Sequence, residues 1–421
     1  MTNLEALELR FAVHEPEVHA LLEEPERFER LRRESAALVE AHPDEESRSP
    51  LFGALLGVKD IFRVDGFPTR AGSRLPPEEL AGEEAACVTA LRRAGALVVG
   101  KTVTTEFAYF APGPTRNPRA LDRTPGGSSS GSAAAVAAGL CSLALGTQTI
   151  GSIGRPAAFC GVVGYKPTYD RISRDGVIAL APSVDHVGMF ATHVETIAGA
   201  APVVVRDWRS GIEAARGARL GVPVGPYLEK TSNEGKDHFA GVSAELRRRG
   251  WEIVEIPVMA DFDDVDARHR LVVAAEAARV HADWFARYGD RYAPKTAELI
   301  RRGQGVTATE LERALAGRFR LRDELHEAME ARRIDLWISP PAVGAAPLGL
   351  ESTGDPVMNL PWTHAGLPAL VVPAGENGEG LPMGLQLTAA FEADEVLLAL
   401  GALLEADLSK AMQPSKGEAA P

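Results

Sequence analysis

The apolar positions of the chain change period along its length. Over residues 1–42, Leu4, Leu7, Leu9, then Leu21, Phe28, Leu31 and Leu38 recur at roughly helical spacing and predict two amphipathic helices, which Pro43 ends. A polar turn over 43–50 leads into a continuous apolar run, Leu51 to Phe62, broken only by Lys59 and Asp60. A lysine at the end of a run that reads as a buried strand is unusual. A helical pattern over 83–93 precedes a strand pattern over 95–101, and this alternation predicts an α/β sheet covered on both faces. Residues 133–145 read as a helix of small residues running into a short buried strand.

Beyond residue 205 the pattern becomes mostly helical. A short αβ unit spans 240–257, and long helix patterns rich in Arg, Glu and Ala follow over 265–288 and 307–333. We read 205–334 as a variable helical cap whose many charges form a solvated face. Strand patterns resume at Ile334 and continue through 355–386, a last helix runs from about Glu392 to Ala406, and 409–421 reads as a disordered tail. The expected organisation is one domain: N-terminal helices over 1–48, a core over 51–200, the cap over 205–334, and the second part of the core over 335–408.

Composition is that of an ordinary globular protein, with 45% apolar and 24% charged residues in 421. No apolar run reaches the roughly 20 residues of a membrane helix, and MTNLEALELR shows no basic segment followed by an apolar one, so the expectation is a cytoplasmic protein. A net charge of −13 disfavours nucleic acid and anionic membrane as partners. Cys87, Cys141 and Cys160 are too few and scattered for a disulfide framework, and no zinc spacing is present. Cys160, in a Phe-Cys-Gly-Val-Val run that looks like a buried strand, reads as a small apolar residue rather than a nucleophile.

Candidate chemistry concentrates in residues 124–168, where two Gly/Ser loops flank the small-residue helix. One carries Ser128, Ser129, Ser130 and Ser132; the other carries Ser152 between Gly151 and Gly154. Glycine beside serine lets backbone amides approach a bound atom closely, which a serine nucleophile needs for an oxyanion hole. A phosphate loop is excluded because no lysine follows the glycines. A linker is disfavoured because the run passes directly into a helix and a buried strand.

These residues resemble the amidase signature family. Its Gly-Gly-Ser-Ser loop is matched by Gly126 to Ser129, its Gly-Ser-Ile turn by Gly151 to Ile153, and its Pro-Ala-Ala-Phe-Cys-Gly-Val-Val-Gly and Lys-Pro-Thr segments by Pro156 to Gly164 and Lys166 to Thr168. Val58-Lys59-Asp60 matches the strand end that carries the family's lysine. Residues 104–118, the series Ser173, Gly176, Ser183, Asp185 and Gly188, and the stretch 355–386 continue the likeness; in the last, the family has Asn-x-x-Gly-Leu-Pro-Ala before a buried strand.

The resemblance implies a large mixed, mostly parallel sheet covered by helices on both faces, with a helical cap insertion. It implies an amidase, a hydrolase of C–N bonds in linear, non-peptide amides, with esters or carbamates as further substrates. Catalytic residues would be Lys59, Ser128 and Ser152, with the bond preceding Ser128 in the cis form. Ser152 would attack the carbonyl carbon while Ser128 bridges it to a neutral Lys59, since burial disfavours the ammonium form. Backbone amides of Thr149, Ile150, Gly151 and Ser152 would hold the oxyanion. No metal or organic cofactor is required, and the partners expected are a small-molecule amide and, at most, a second copy of the chain.

Three departures from the family pattern stand out. Its Asp-x-Gly-Gly-Ser-Ile-Arg reads here Gln148-Thr149-Ile150-Gly151-Ser152-Ile153-Gly154, with Arg155 one place later; Ile150 replaces a glycine, and Ser130 replaces another. Acid and base disappear together, so the loop is expected to keep its shape through neutral hydrogen bonds. Pocket candidates are Tyr109, Phe110, Ser129, Trp362 and His364, within walls drawn from 104–114, 205–334 and 340–365; Tyr109 and Phe110 equally fit packing beneath a loop, and Trp337 fits the core. Two other functions stay open: the amide-transferring subunit that makes glutaminyl or asparaginyl tRNA with partner chains, which the acidic charge and shortened variable section disfavour, and an inactive binding member, which would lack one of the triad.

Overall fold

The computed structural model describes residues 4–212, 214 and 217–412. Ten strands form one sheet: β1 (Leu55–Lys59), β2 (Leu97–Thr102), β3 (Leu143–Gln148), β4 (Val163–Lys166), β5 (His186–Ala191), β6 (Arg219–Val224), β7 (Glu252–Pro257), β8 (Leu336–Ser339), β9 (Ala369–Glu376) and β10 (Pro382–Thr388). Their spatial order is β2-β1-β3-β5-β4-β9-β10-β8-β6-β7. The sheet is mixed, as expected. Parallel pairing holds on its flanks, β1 with β2 and β3, and β6 with β7 and β8. The centre, from β3 through β5, β4, β9 and β10 to β8, is antiparallel, so parallel pairs do not predominate across the whole sheet.

On the N-terminal side lie α1 (Leu4–Val18), α2 (Arg27–Ala41), α3 (Ala86–Arg93), α4 (Ser130–Ala137), α5 (Gly154–Cys160) and α6 (Val194–Val204). Two of the expected amphipathic positions face elsewhere. Leu9 is exposed on α1, and Leu21 sits in the connector after His19 (φ 51°), where it bridges to Thr102 of β2. α4 is built from small residues and is buried from Ser130 to Val136, close against the connector that follows α1: a Cβ added at Gly131 would stand 2.2 Å from the Ala20 carbonyl oxygen. Cys160 is buried, but it closes α5 rather than lying in a strand; Gly161, at φ 66°, ends the helix and β4 starts only at Val163.

The segment expected to be a helical cap divides in two. Residues 219–257 hold β6, then α7 (Pro226–Glu229) and α8 (Asn233–Arg248), then β7, a parallel unit that extends the main sheet. The helical cover itself comprises α9 (Phe262–Val280), α10 (Ala282–Tyr288), α11 (Pro294–Gln304) and α12 (Ala308–Arg332), with a Thr307/Glu310 capping box starting α12. α13 (Leu360–Ala365) and α14 (Asp394–Met412) complete the order. The expected tail is helical through Met412, and residues 413–421 lie outside the described residues.

The site sits where β1 and β3 end side by side. Parallel pairing sets Val58 opposite Leu145, which brings Lys59 at one strand end to Thr147 near the other. Helices α9 and α13 pack above that edge, their apolar side chains joining Ile150 in one cluster.

Candidate active site

Lys59 is fully buried at the end of β1, inside a socket of three hydroxyls. Its Nζ lies 2.7 Å from Ser128 Oγ, 3.0 Å from Ser129 Oγ and 2.8 Å from Thr147 Oγ1. Burial pushes this lysine well below its ordinary pKa, partly offset by the Asp185 carboxylate. A neutral amine has two hydrogens and one lone pair. Ser129 directs its own hydrogen to the Thr147 carbonyl 3.1 Å away, so it receives a hydrogen from Lys59. Gly146 makes room for this arrangement, since a Cβ there would stand 2.8 Å from Ser129 Oγ.

The Gly127–Ser128 peptide bond is cis. Its carbonyl side is gripped by Arg155, whose Nη2 donates to Gly127 O at 2.6 Å and to Thr353 Oγ1 at 3.1 Å, while Nη1 donates to Gly354 O at 3.0 Å. Burial lowers this guanidinium to about 9. Arg155 therefore braces the Ser128 loop from one position beyond the family's arginine. The family's own place, Gly154, has no space for it: a Cβ there would lie 2.5 Å from Asn359 Nδ2, which Gln386 and Pro341 hold in position.

Gln148 occupies the place of the family's aspartate. Its Oε1 accepts from the amides of Ile153 (2.7 Å) and Gly154 (3.0 Å), and its Nε2 donates to Thr363 Oγ1 at 2.9 Å. Thr363 stands where the family pattern has its asparagine, and its hydroxyl lies 2.8 Å from Ile150 O. The turn is thus held by neutral hydrogen bonds. Between these supports, the amides of Thr149, Ile150, Gly151 and Ser152 donate to no acceptor among the described residues.

A narrow cleft contains Ser128, Thr149, Ile150, Gly151, Ser152 and Arg155 in its wall, together with Tyr109, Phe110, Leu180 and Pro356. Both proposed hydroxyl carriers and the four residues with unpaired amides therefore line one space. Tyr109 and Phe110 line it, their rings edge to face, on a loop anchored by Phe107 stacked on Tyr292. The other pocket candidates do not line it. Ser129 is spent on Lys59, Trp362 is core with its Nε1 donating to Tyr227, and His364 is buried against His269. Trp337 is likewise core.

Three residues of this constellation are not singled out by the sequence: Thr147, Arg155 as a brace, and His269 of α9, whose Nε2 lies 2.9 Å from Thr149 O. Thr147 and Arg155 at least lie within the stretch that carries the family likeness, whereas nothing local marks His269. All three thiols are buried, and burial pushes Cys87 and Cys141 up to about 12 and Cys160 higher still, which leaves them inert as nucleophiles. No group of side chains suited to a metal ion occurs among the described residues, and none of their helices is long and apolar enough to cross a membrane.

Known proteins resemble this chain over most of its length. The model of the Amidase family matches residues 3–398. One of the subunits of glutamyl-tRNA(Gln) amidotransferase from Synechococcus sp. (strain RCC307) is 33% identical, with 94% of this chain and 91% of that protein covered. A solved amidase superposes with a TM-score of 0.87 at 34% identity, covering 96% of this chain and 95% of the other. Native peptide amidase from Stenotrophomonas maltophilia superposes with a TM-score of 0.80 at 27% identity, over 98% and 94% of the two chains.

Proposed function

We propose that this chain, which belongs to the amidase (amidase signature) family, is an amidohydrolase that cleaves a carboxylic amide, and by the same acyl chemistry an ester or carbamate, through an acyl-enzyme on Ser152. The observation that carries the reading is the contact of the buried Lys59 amine with Ser128 at 2.7 Å, Ser128 lining the same cleft as Ser152 and the residues whose amides are unpaired.

In this mechanism Ser152 Oγ attacks the carbonyl carbon, its proton passes to Ser128 Oγ, and the Ser128 proton passes to the Lys59 lone pair. Charge developing on the carbonyl oxygen meets the amides of Thr149 to Ser152, each such donor contributing about 3 kcal/mol in a transition state. Collapse breaks the C–N bond as the lysine proton returns through Ser128 to the leaving nitrogen. Water then repeats the sequence on the acyl-enzyme and releases the acid. Ser129 and Thr147 act on Lys59 alone, accepting its hydrogens so that the lone pair faces Ser128. The reading places the protein in the cytoplasm, as a monomer or homodimer acting on a small-molecule amide.

A second reading, the amide-transferring subunit of a tRNA-dependent amidotransferase, is favoured by the likeness to the glutamyl-tRNA(Gln) amidotransferase subunits of several bacteria. The likeness to solved amidases favours hydrolysis by the chain alone. The deciding experiment treats wild type and Ser152→Ala with a fluorophosphonate, maps the adduct by mass, and assays the isolated chain on amide, ester and carbamate substrates. Labelling at Ser152 with amine release supports the hydrolase. Labelling with glutamine turnover only in the presence of amidotransferase partner chains supports the second reading, and a folded wild type that takes no label and releases no amine rejects both.

A further inference from the structure

The helical cover reaches the amides of the cleft through a pair of histidines. His269 on α9 sets its Nε2 2.9 Å from the carbonyl oxygen of Thr149 and its Nδ1 3.2 Å from Nδ1 of His364 on α13. Both rings are buried and cross edge to face. Burial keeps them neutral, lowering His269 to about 3 and His364 well below the ordinary histidine value.

Their tautomers follow from the partners. A carbonyl only accepts, so the single ring hydrogen of neutral His269 is on Nε2 and its Nδ1 is bare. Nδ1 of His364 must then carry the hydrogen and donate, and Nε2 of His364, buried without a partner, is the bare nitrogen. A directed chain results: His364 donates to His269, and His269 donates to Thr149 O.

The end of that chain is one bond from a proposed oxyanion donor. Thr149 C=O and Ile150 N–H belong to one planar peptide group and point in opposite directions, so holding the carbonyl fixes the amide. The next peptide is fixed in the same sense, by Thr363 at 2.8 Å from Ile150 O, which orients Gly151 N–H. We propose that His269, itself oriented by His364, is a positioning residue that aims the Ile150 amide into the cleft and thereby ties oxyanion stabilisation to the helical cover. This inference rests on the acyl-transfer reading given above.

The test compares wild type with His269→Gln, His269→Asn, His269→Leu and His364→Leu, reading the fluorophosphonate labelling rate at Ser152 and the kcat and KM for an activated aryl ester. A glutamine amide sits near the place of the imidazole Nε2 and reaches Thr149 O; an asparagine amide falls short. The expected result is kcat within ~5-fold of wild type for Gln, a fall of ~10²-fold for Asn and Leu, the size of losing one oxyanion donor, and a smaller fall for His364→Leu, with KM within ~3-fold throughout. Folded Asn or Leu variants that label at the wild-type rate overturn the inference, as do Gln and Asn variants equally impaired. If Leu fails to fold, the contrast between the two amide variants still decides. A wild type that takes no label removes the acyl-transfer reading itself, and the inference with it, before any variant is compared.

Discussion

The side-chain oxygen of Gln148 lies 2.7 Å from the amide of Ile153, one of two amides it ties to the end of β3. Restoring the family's charged pair should therefore fail here. Gly154→Arg places a Cβ 2.5 Å from Asn359 Nδ2, and Gln148→Asp both shortens the reach to the two amides and ends the donation to Thr363. Each change is expected to destabilise the protein by about 2 kcal/mol or more, and the double variant should recover little, because Asn359 still fills the space. Urea unfolding midpoints of the two single variants and the double test this.

Removing the base should abolish acylation without unfolding the protein. Lys59→Met keeps an apolar stem in a fully buried position while deleting the amine, so Ser152 labelling is expected to fall at least ~10³-fold. Ser128→Ala should show a loss of similar order. Labelling of either variant within tenfold of wild type, with an unchanged circular dichroism spectrum, would reject the proton relay.

The pH dependence has a definite sign. In the proposed mechanism acylation needs a neutral Lys59, so its rate should fall as pH drops through the folded-state pKa of that lysine, which burial holds well below 10.5. The Asp185 charge favours the ammonium form. Asp185→Asn removes that charge, leaves an oxygen for the amides of Leu180 and Ala181, and lets the new NH₂ donate to Thr149 Oγ1. The acid limb of the labelling rate should consequently move to lower pH. A move to higher pH would contradict the assignment of that limb to Lys59.

Arg155 holds three acceptors, two of them carbonyls of the loops around Ser128. Arg155→Met is expected to cost about 2–4 kcal/mol by leaving Gly127 O, Gly354 O and Thr353 without their donor. Labelling at Ser152 should slow as well, since the Ser128 loop loses its brace. Thermal melts and labelling rates on the same preparation check both parts.

The thiols should stay silent. Cys87, Cys141 and Cys160 are buried and raised, so iodoacetamide is expected to modify none of them at pH 8 in the native protein and all three in urea. Rapid native modification of Cys160 would reopen it as a reactive group.

The sequence by itself determined the local elements that carry the proposed triad. A lysine interrupting an apolar run, a glycine-flanked serine loop entering an Ala-rich helix, and a second Gly-Ser turn after a strand-length run are short-range patterns, set by backbone freedom and side-chain period; they and the family likeness make Lys59, Ser128 and Ser152 the proposed catalytic residues. Tertiary structure decided what those residues touch. Thr147 is 88 residues from Lys59 and His269 is 120 from Thr149, and only strand pairing and helix packing bring such residues together. It also decided the fate of 219–257. The pattern of β7 is polar and exposed, with Glu252 and Glu255 interrupting its apolar positions, because an edge strand needs burial on few of its side chains. That segment therefore resembled part of a solvated cap until its backbone pairing with β6 placed it in the sheet. The same reason explains Trp362 and His364: residue type marks a side chain as large or titratable, but whether it faces a cleft or the core depends on the elements packed against it, here α9 and α13.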